Sequence, residues 1–215
     1  MKKARVLMLG TDISTKGGIA SVIRDYVDTG LMDRLNAEYL PTHRDGSKLD
    51  TAVFYLAQAP KAVLRFFRSD IVHVHTSHGW SFRRLSPLML IAGLLGNKTL
   101  LHVHGSQFDN FYEKAGWIER KFIGFVLRRA DGVIALSDDW ERKLRVMAPT
   151  AAITVIRNGV DCSKYLVPGS RKLGDPVTVL FLGRLGERKG IYDILNAIKL
   201  LEPQRFRFVL AGDGD

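Results

Sequence analysis

Cysteine is nearly missing from this sequence. Cys162 stands alone among 215 residues, so no disulfide can close within the chain, which fits a reducing compartment such as the cytosol. Long apolar runs are missing too. The most apolar stretch, Leu85 to Gly96, is about a dozen residues, short of the roughly 20 that a bilayer-spanning helix needs. At the start, Lys2, Lys3, Ala4 and Arg5 lead into only Val6 to Leu9, too few residues for the apolar core of a signal peptide. Acidic residues are scarce, 22 against 32 Lys and Arg, and the resulting formal charge of +10 is strong for this length. The excess is concentrated in residues 1–165. Such a balance suits a nucleic acid, an anionic membrane surface or a phosphorylated substrate, and by itself does not choose among them.

What is present is a regular alternation. Strands are expected at Arg5–Leu9, Glu38–Leu40, Ile71–Thr76, Thr99–His104, Gly132–Leu136, Ile153–Ile156, Val177–Leu182 and Phe206–Ala211. Several are nearly continuous in Val, Ile and Leu, as in strands covered on both faces. Helical patterns fall between them at Ile19–Leu35, Thr51–Phe67, Glu113–Arg129 and Gly190–Leu201. Leu85–Gly96 should be a buried helix with Pro87 in its first turn. The alternation predicts an α/β fold with a doubly wound parallel sheet. Near residues 162–175 the periodicity stops at Pro168, Gly169 and Gly174, so a linker is expected between a domain over 1–165 and another starting at 166. Residues 166–215 hold one strand–helix–strand unit, too little to bury a comfortable core, and are expected to be the start of an incomplete second domain.

Four places carry chemistry. "GTDISTKGGIA" (10–20) follows the first strand and opens the first helix, the position where a doubly wound sheet offers backbone N–H groups to anions. Five of the six histidines fall in "HVHTSH" (73–78) and "HVHG" (102–105). Each His-x-His pair shares one face of its strand. No carboxylate or cysteine follows either pair at once, so no metal is expected. His73 and His102 are read as buried imidazoles bonded to backbone. His75 and His104 stand where their strands end, at the crevice. "RNGVD" (157–161) is a turn after the sixth strand. "FLGRLGERKG" (181–190) empties an apolar strand into two cations, Arg184 and Lys189, among glycines, an arrangement that seats a polyanion or is a plain solvated loop.

In this order, Gly17-Gly18-Ile19, "HVHGS" (102–106), "ADGVIALSDD" (130–139), "NGVD" (158–161), "FLGRLGERKG" and "LAGDGD" (210–215) resemble the retaining glycosyltransferases of the group 1 type, family 4, which have the two-domain GT-B fold. The resemblance implies transfer of a sugar from a nucleotide diphosphate sugar, the co-substrate in place of any cofactor, to a saccharide or lipid-linked acceptor with retention of configuration. It implies an acceptor-facing Rossmann-like first domain and a donor-binding second one. It implies that Arg184 and Lys189 bind the donor diphosphate and that Gly18 offers its N–H to the same phosphates. His104 would lie beside the transferred sugar, Gly212 and Gly214 would let backbone approach the nucleotide, and Asn158 and Asp161 would shape the crossing between domains. The family also uses a pair of glutamates seven residues apart beyond the last strand seen here, so this chain alone is expected to be inactive. Bacterial surface polysaccharide or lipopolysaccharide assembly is the expected setting, in the cytoplasm or at the inner face of the membrane, with no nucleic-acid partner. Residues 60–70 and 119–131 mix large apolar residues with cations, as a membrane-docking surface or a core-facing helix with a basic outer face would. A metal-dependent hydrolase and a non-catalytic binding protein of the same fold are the alternative readings.

Overall fold

The β-branched runs become strands where the chain can cover them on both faces. The computed structural model describes residues 3–105, 107–162 and 176–214, and the chain divides after Cys162 into two units. In the first unit β1 (Val6–Thr11), β2 (Ala37–His43), β3 (Ile71–Thr76), β4 (Lys98–Val103), β5 (Gly132–Ala135) and β6 (Ile153–Val155) form one sheet. Every pairing is parallel, in the order β2-β1-β3-β4-β5-β6. The intervening helices are α1 (Gly18–Asp28), α2 (Leu31–Arg34), α3 (Lys48–Phe66), α4 (Trp80–Leu94), α5 (Phe108–Lys114), α6 (Trp117–Arg129) and α7 (Asp138–Met147).

Only the step from β1 to β2 runs toward one edge; every later step runs toward the other. Right-handed crossovers therefore place α1 on one face and α3, α4, α6 and α7 on the opposite face. The packing agrees. Leu7, Leu9, Val72, Val74, Leu101 and Val103 share one core cluster with Phe66, Leu85, Ile123 and Leu144. The alternate strand positions, Met8, His73, His75 and His102, point the other way, where Ala20 and Ile23 of α1 are buried. There the Tyr26 ring stands edge-on to His75 at 6.1 Å between centroids.

Three expectations are corrected. The helix read over 19–35 breaks, because Gly30 takes a left-handed conformation (φ 66°) that ends α1 and starts α2. The helix read over 113–129 becomes α5 and α6, separated at Ala115 and Gly116, both extended. Pro87 is not in a first turn: α4 begins at Trp80, so the proline sits mid-helix. Its missing N–H leaves the Arg83 carbonyl without its usual partner, and Pro87 is exposed, so water reaches that side of the helix. The polar look of "WSFRR" hid the true start, since Arg84 is buried with its guanidinium 5.9 Å from the centre of the Tyr55 ring.

The second unit pairs β7 (Val177–Leu182) with β8 (Phe206–Ala211) in parallel, joined through a one-turn 3-10 helix, Glu187–Lys189, and α8 (Ile191–Ile198). Leu180 and Leu182 of β7 are exposed. Apart from Cys162, the linker expected over 162–175 lies outside the described residues, as do Ser106 and Asp215 of the motifs.

The ends of β3 and β4 touch closely. His104 N–H donates to the Thr76 carbonyl at 2.7 Å, and a Cβ on Gly105 would stand 2.9 Å from the His78 nitrogen and 3.2 Å from Ser77 Cα. Gly105→Ala should therefore destabilise the first unit by about 1–3 kcal/mol, the usual penalty of overpacking against backbone. Urea unfolding followed by far-UV circular dichroism measures it. An unchanged midpoint would mean that the two loops separate without strain.

Candidate active site

In a parallel sheet all strands end at one edge, and β3 lies between β1 and β4, so the loops after these three are neighbours. The loop after β1 is braced from within. Asp12 accepts from Ser14 N at 2.9 Å and its carbonyl accepts from Thr15 Oγ1 at 2.7 Å. Thr11 Oγ1 lies 3.0 Å from His43 Nδ1, and Asp12 N donates to the His43 carbonyl at 2.6 Å. The Tyr39 hydroxyl donates to the Thr11 carbonyl, and burial raises its pKa well above the ordinary phenol value. Sequence reading missed Tyr39 and His43; the legible signal was the Asp-x-Ser turn at 12–14. Gly18 is the first residue of α1, and a Cβ added at Gly17 or Gly18 would meet nothing within 4 Å. The N–H groups of this first turn have no carbonyl four residues back.

The histidines of β3 and β4 are brought onto one face by the register that sets His75 opposite His102. His73 and His75 lie 4.2 Å apart between ring centroids, His102 and His104 3.9 Å, and His75 and His104 5.2 Å. His75 Nδ1 and His104 Nε2 are 3.0 Å apart, so one of them carries the shared proton and the other accepts it. His75 is fully buried and does not itself open to the crevice, which corrects its expected place; it reaches that edge through His104, which is only partly covered.

Burial keeps these rings neutral. It lowers His73 and His104 to about 4 and, with the positive charge that His104 would carry, His102 to about 2. His75 is held well below its ordinary value by burial first and by its three neighbours second. The expectation that His73 and His102 bond to backbone is not met: among the described residues His73 Nε2 and both ring nitrogens of His102 have no hydrogen-bond partner. Both side chains point into the layer between sheet and α1, where the strand carbonyls are already committed to the ladder. One ring nitrogen each from His73, His75 and His102 lies within 4.8 Å of the others, so these three could hold a metal ion. As a ligand set they are three neutral imidazoles with no carboxylate or thiolate among them in the described residues.

After β6 the chain passes α1. Arg157 Nη2 meets Asp138 Oδ2 at 2.6 Å, and Asn158 is exposed. Gly159, Val160 and Asp161 line a cavity of about 260 Å³ with Val22 and Tyr26 of α1 and Thr29 just past its end. Asp161 therefore borders the second half of that helix, away from the end that carries Gly18.

In the second unit the loops after β7 and β8 run side by side. Gly183 N donates to the Ala211 carbonyl at 3.0 Å and Leu185 N to the Asp213 carbonyl at 2.8 Å, and Leu185 bridges Gly214. Arg184 and Lys189 are both exposed on the first of these loops. A Cβ on Gly212 would fall 1.8 Å from the Gly183 carbonyl oxygen, so glycine is required there by the fold itself. At Gly214 the nearest atom to such a Cβ is 3.8 Å away, so packing makes no such demand. Arg184, Lys189, Gly212 and Gly214 thus gather at one end of the β7–β8 pair, while Gly18, His75 and His104 gather at the corresponding edge of the first unit.

Residues 29–164 match the sequence model of Glycosyltransferase Family 4, more than half of the chain, and the protein belongs to that family. Among its relatives is a GDP-mannose:cellobiosyl-diphosphopolyprenol alpha-mannosyltransferase of Xanthomonas campestris, 29% identical over 159 residues, 72% of this chain and 40% of the relative. A glycogen synthase of Mycobacterium tuberculosis is 25% identical over 161 residues, 70% of this chain and 37% of the relative. A putative colanic acid biosynthesis glycosyltransferase, WcaL, of Salmonella typhimurium is 32% identical over 92 residues, 41% of this chain and 23% of the relative. The matched region spans about two fifths or less of the length of these relatives.

The histidine layer sets a pH dependence. Unfolded histidine takes its proton near pH 6.5, whereas the folded rings resist it down to about 4 or about 2. Between pH 6.5 and 4 the unfolded chain holds more protons, so stability is full above about 6.5 and falls as the pH drops, by up to about 1.4 kcal/mol per pH unit for each ring. Denaturant midpoints at pH 7.5 and 5 should differ accordingly. His102→Leu removes two unpartnered nitrogens and one protonation site. It should leave stability at pH 7.5 within about 1 kcal/mol of the parent, or raise it, and flatten the pH dependence. A midpoint indifferent to pH in the parent chain would contradict the buried neutral layer.

Proposed function

We propose that the protein serves a retaining glycosyltransferase reaction. A sugar passes from a nucleotide diphosphate sugar to a saccharide or lipid-linked acceptor during assembly of a bacterial surface polysaccharide or lipopolysaccharide. The observation that carries this reading is the family match over residues 29–164. The names of the Xanthomonas and Salmonella relatives support a nucleotide donor, a polyprenol-linked acceptor and a polysaccharide product. In this reading no cofactor takes part beyond the nucleotide sugar itself, and nucleic acid is not a partner. The work is done in the cytoplasm, at the inner face of the membrane where a lipid-linked acceptor is held.

Each residue then has a chemical task. The departing nucleoside diphosphate gathers negative charge as the glycosidic bond breaks. Arg184 and Lys189 stabilise that charge more in the transition state than in the ground state, and the Gly18 N–H, on its own unit, is a donor suited to phosphate. His104, its Nε2 engaged by His75, turns its other nitrogen to the sugar. Gly214, and Gly212 beside it, let backbone approach the nucleotide, and Asn158 and Asp161 shape the chain where it leaves the first unit. The histidine layer works without a metal. Elemental analysis of protein purified without chelator should find less than one tightly held transition metal per chain; one zinc or iron per chain would reassign His73, His75 and His102 as ligands.

Kinetics test the central assignment. In a chain that also carries the downstream donor-domain region, Lys189→Ala and Arg184→Ala should each weaken donor interaction by about tenfold or more, the loss of one charge-assisted contact. Both should also lose turnover at saturating donor, because the lost contact is strongest in the transition state. Glu187→Ala, in the same loop, should change little. Parental turnover in both cation variants would leave Arg184 and Lys189 as ordinary loop charges.

A further inference from the structure

Helix α3 is apolar on two sides. Ala62 and Phe66 are buried, and Tyr55, Ala59 and Val63 pack against the core. About 110° round the helix from that face, at 100° per residue, Leu49, Val53, Leu56, Leu64 and the helix-ending Phe67 are 57–73% exposed. Their spacing puts them, with the exposed Pro60, on one line along a helix about 28 Å long. The outer face of a surface helix is ordinarily charged or polar. A continuous exposed apolar stripe marks a surface that meets something.

The charges beside the stripe say what that is. The one acidic residue of α3, Asp50, is held by Ser47 in a capping box at the helix start. Lys61, Arg65 and Arg68 flank the far half of the stripe. Together with Leu64 and Arg5 they line a groove of about 840 Å³ at the helix end. Arg65 is paired with Glu38 at 2.6 Å, so Lys61 and Arg68 are the cations of this flank offered to an anionic partner. A second copy of the chain laid on this face would bring the same cations together, on a protein already at +10. An anionic lipid surface removes that repulsion and accepts the stripe. Over residues 119–131, by contrast, Ile123, Val126 and Leu127 are buried and Phe125 is the one exposed large apolar residue.

We propose that α3 is the membrane-docking surface of the first unit. It lies in the plane of an anionic bilayer, with Leu49 to Phe67 at the headgroup–acyl boundary and Lys61 and Arg68 on lipid phosphates. No helix among the described residues is long and apolar enough to cross the membrane, so docking is in-plane. This rests on the reading that the acceptor is held at the membrane, and it assigns the face.

Co-sedimentation of the whole chain with vesicles tests both parts. Vesicles of phosphatidylglycerol mixed with phosphatidylcholine should bind the protein at low salt and release it as salt rises, whereas phosphatidylcholine alone should bind weakly. Leu56→Asp with Leu64→Asp should lower partitioning at least about tenfold, since each exposed leucine gives up its burial in the lipid boundary. Lys61→Glu with Arg68→Glu should cause a comparable loss, and circular dichroism should show both variants folded. Leu200→Asp, 88% exposed in the second unit, should bind as the parent does. If the parent binds anionic vesicles and neither α3 variant is weakened, the face is wrong and the membrane reading stands. If the parent binds no vesicles, both fail. Equal binding to neutral vesicles removes the role of Lys61 and Arg68. A dimer in sedimentation velocity that Leu56→Asp dissociates, without vesicle binding, makes the face a contact between copies instead.

Discussion

Parallel pairing is the constraint on which the rest of this structure depends. A parallel sheet cannot turn back on itself through hairpins, so each strand must be followed by a crossover that returns the chain to the starting edge. The first unit obeys this five times, and the direction of the crossovers divides its five helices of ten residues or more four to one between the two faces. The crowded face collects the large apolar core around Phe66, Phe82 and Leu101. The other face has one long helix, α1, and there the strands carry Met8 and the imidazoles of His73, His75 and His102 in place of more leucine and valine.

That asymmetry explains how a polar layer is tolerated inside the sheet. Imidazole is flat and can be neutral, so it packs like an aromatic ring once its proton is withheld. The layer is continuous from His73 to His104 because β3 and β4 pair in register, and the parallel ladder places every ring on the same side. At its outer end the layer reaches the edge where the strands stop, and the bond between His75 and His104 fixes how the partly exposed ring is presented there.

Much of this was legible in the residues. Ile71–Thr76, Val177–Leu182 and Phe206–Ala211 could be read with their observed limits, because the apolar runs there are bounded by Asp70 and Ser77, Pro176 and Gly183, and Arg205 and Gly212. The helices were less legible where one residue decides the matter. Gly30 ends α1 through its left-handed conformation, and a glycine within a periodic pattern does not announce its φ. The start of α4 was hidden because Arg84 is buried against Tyr55, a contact between segments that no local pattern records. The site followed the same division. Gly18, His104, Arg184 and Lys189 sit just past strand ends, a position that alternation predicts. The burial of His75 and the passage of Asp161 beside α1 depend on packing across the layer. Gly212, read as a place for ligand approach, also answers to a carbonyl of the neighbouring loop.

The strand order has a consequence for how the first unit assembles. Neighbours β3 and β4, β4 and β5, and β5 and β6 are consecutive along the chain, as are β1 and β2, so each pair closes through a single crossover. The exception is the seam at which Val6 meets Ile71, since β2 and two crossovers intervene between those strands. Loop-closure entropy rises with the length closed, which makes this seam the most demanding contact to form. The unit is therefore two half-sheets joined along one line. The glycines that open α1 belong to one half and the paired imidazoles of His75 and His104 to the other. The edge at which they meet comes into being only when the two halves have docked.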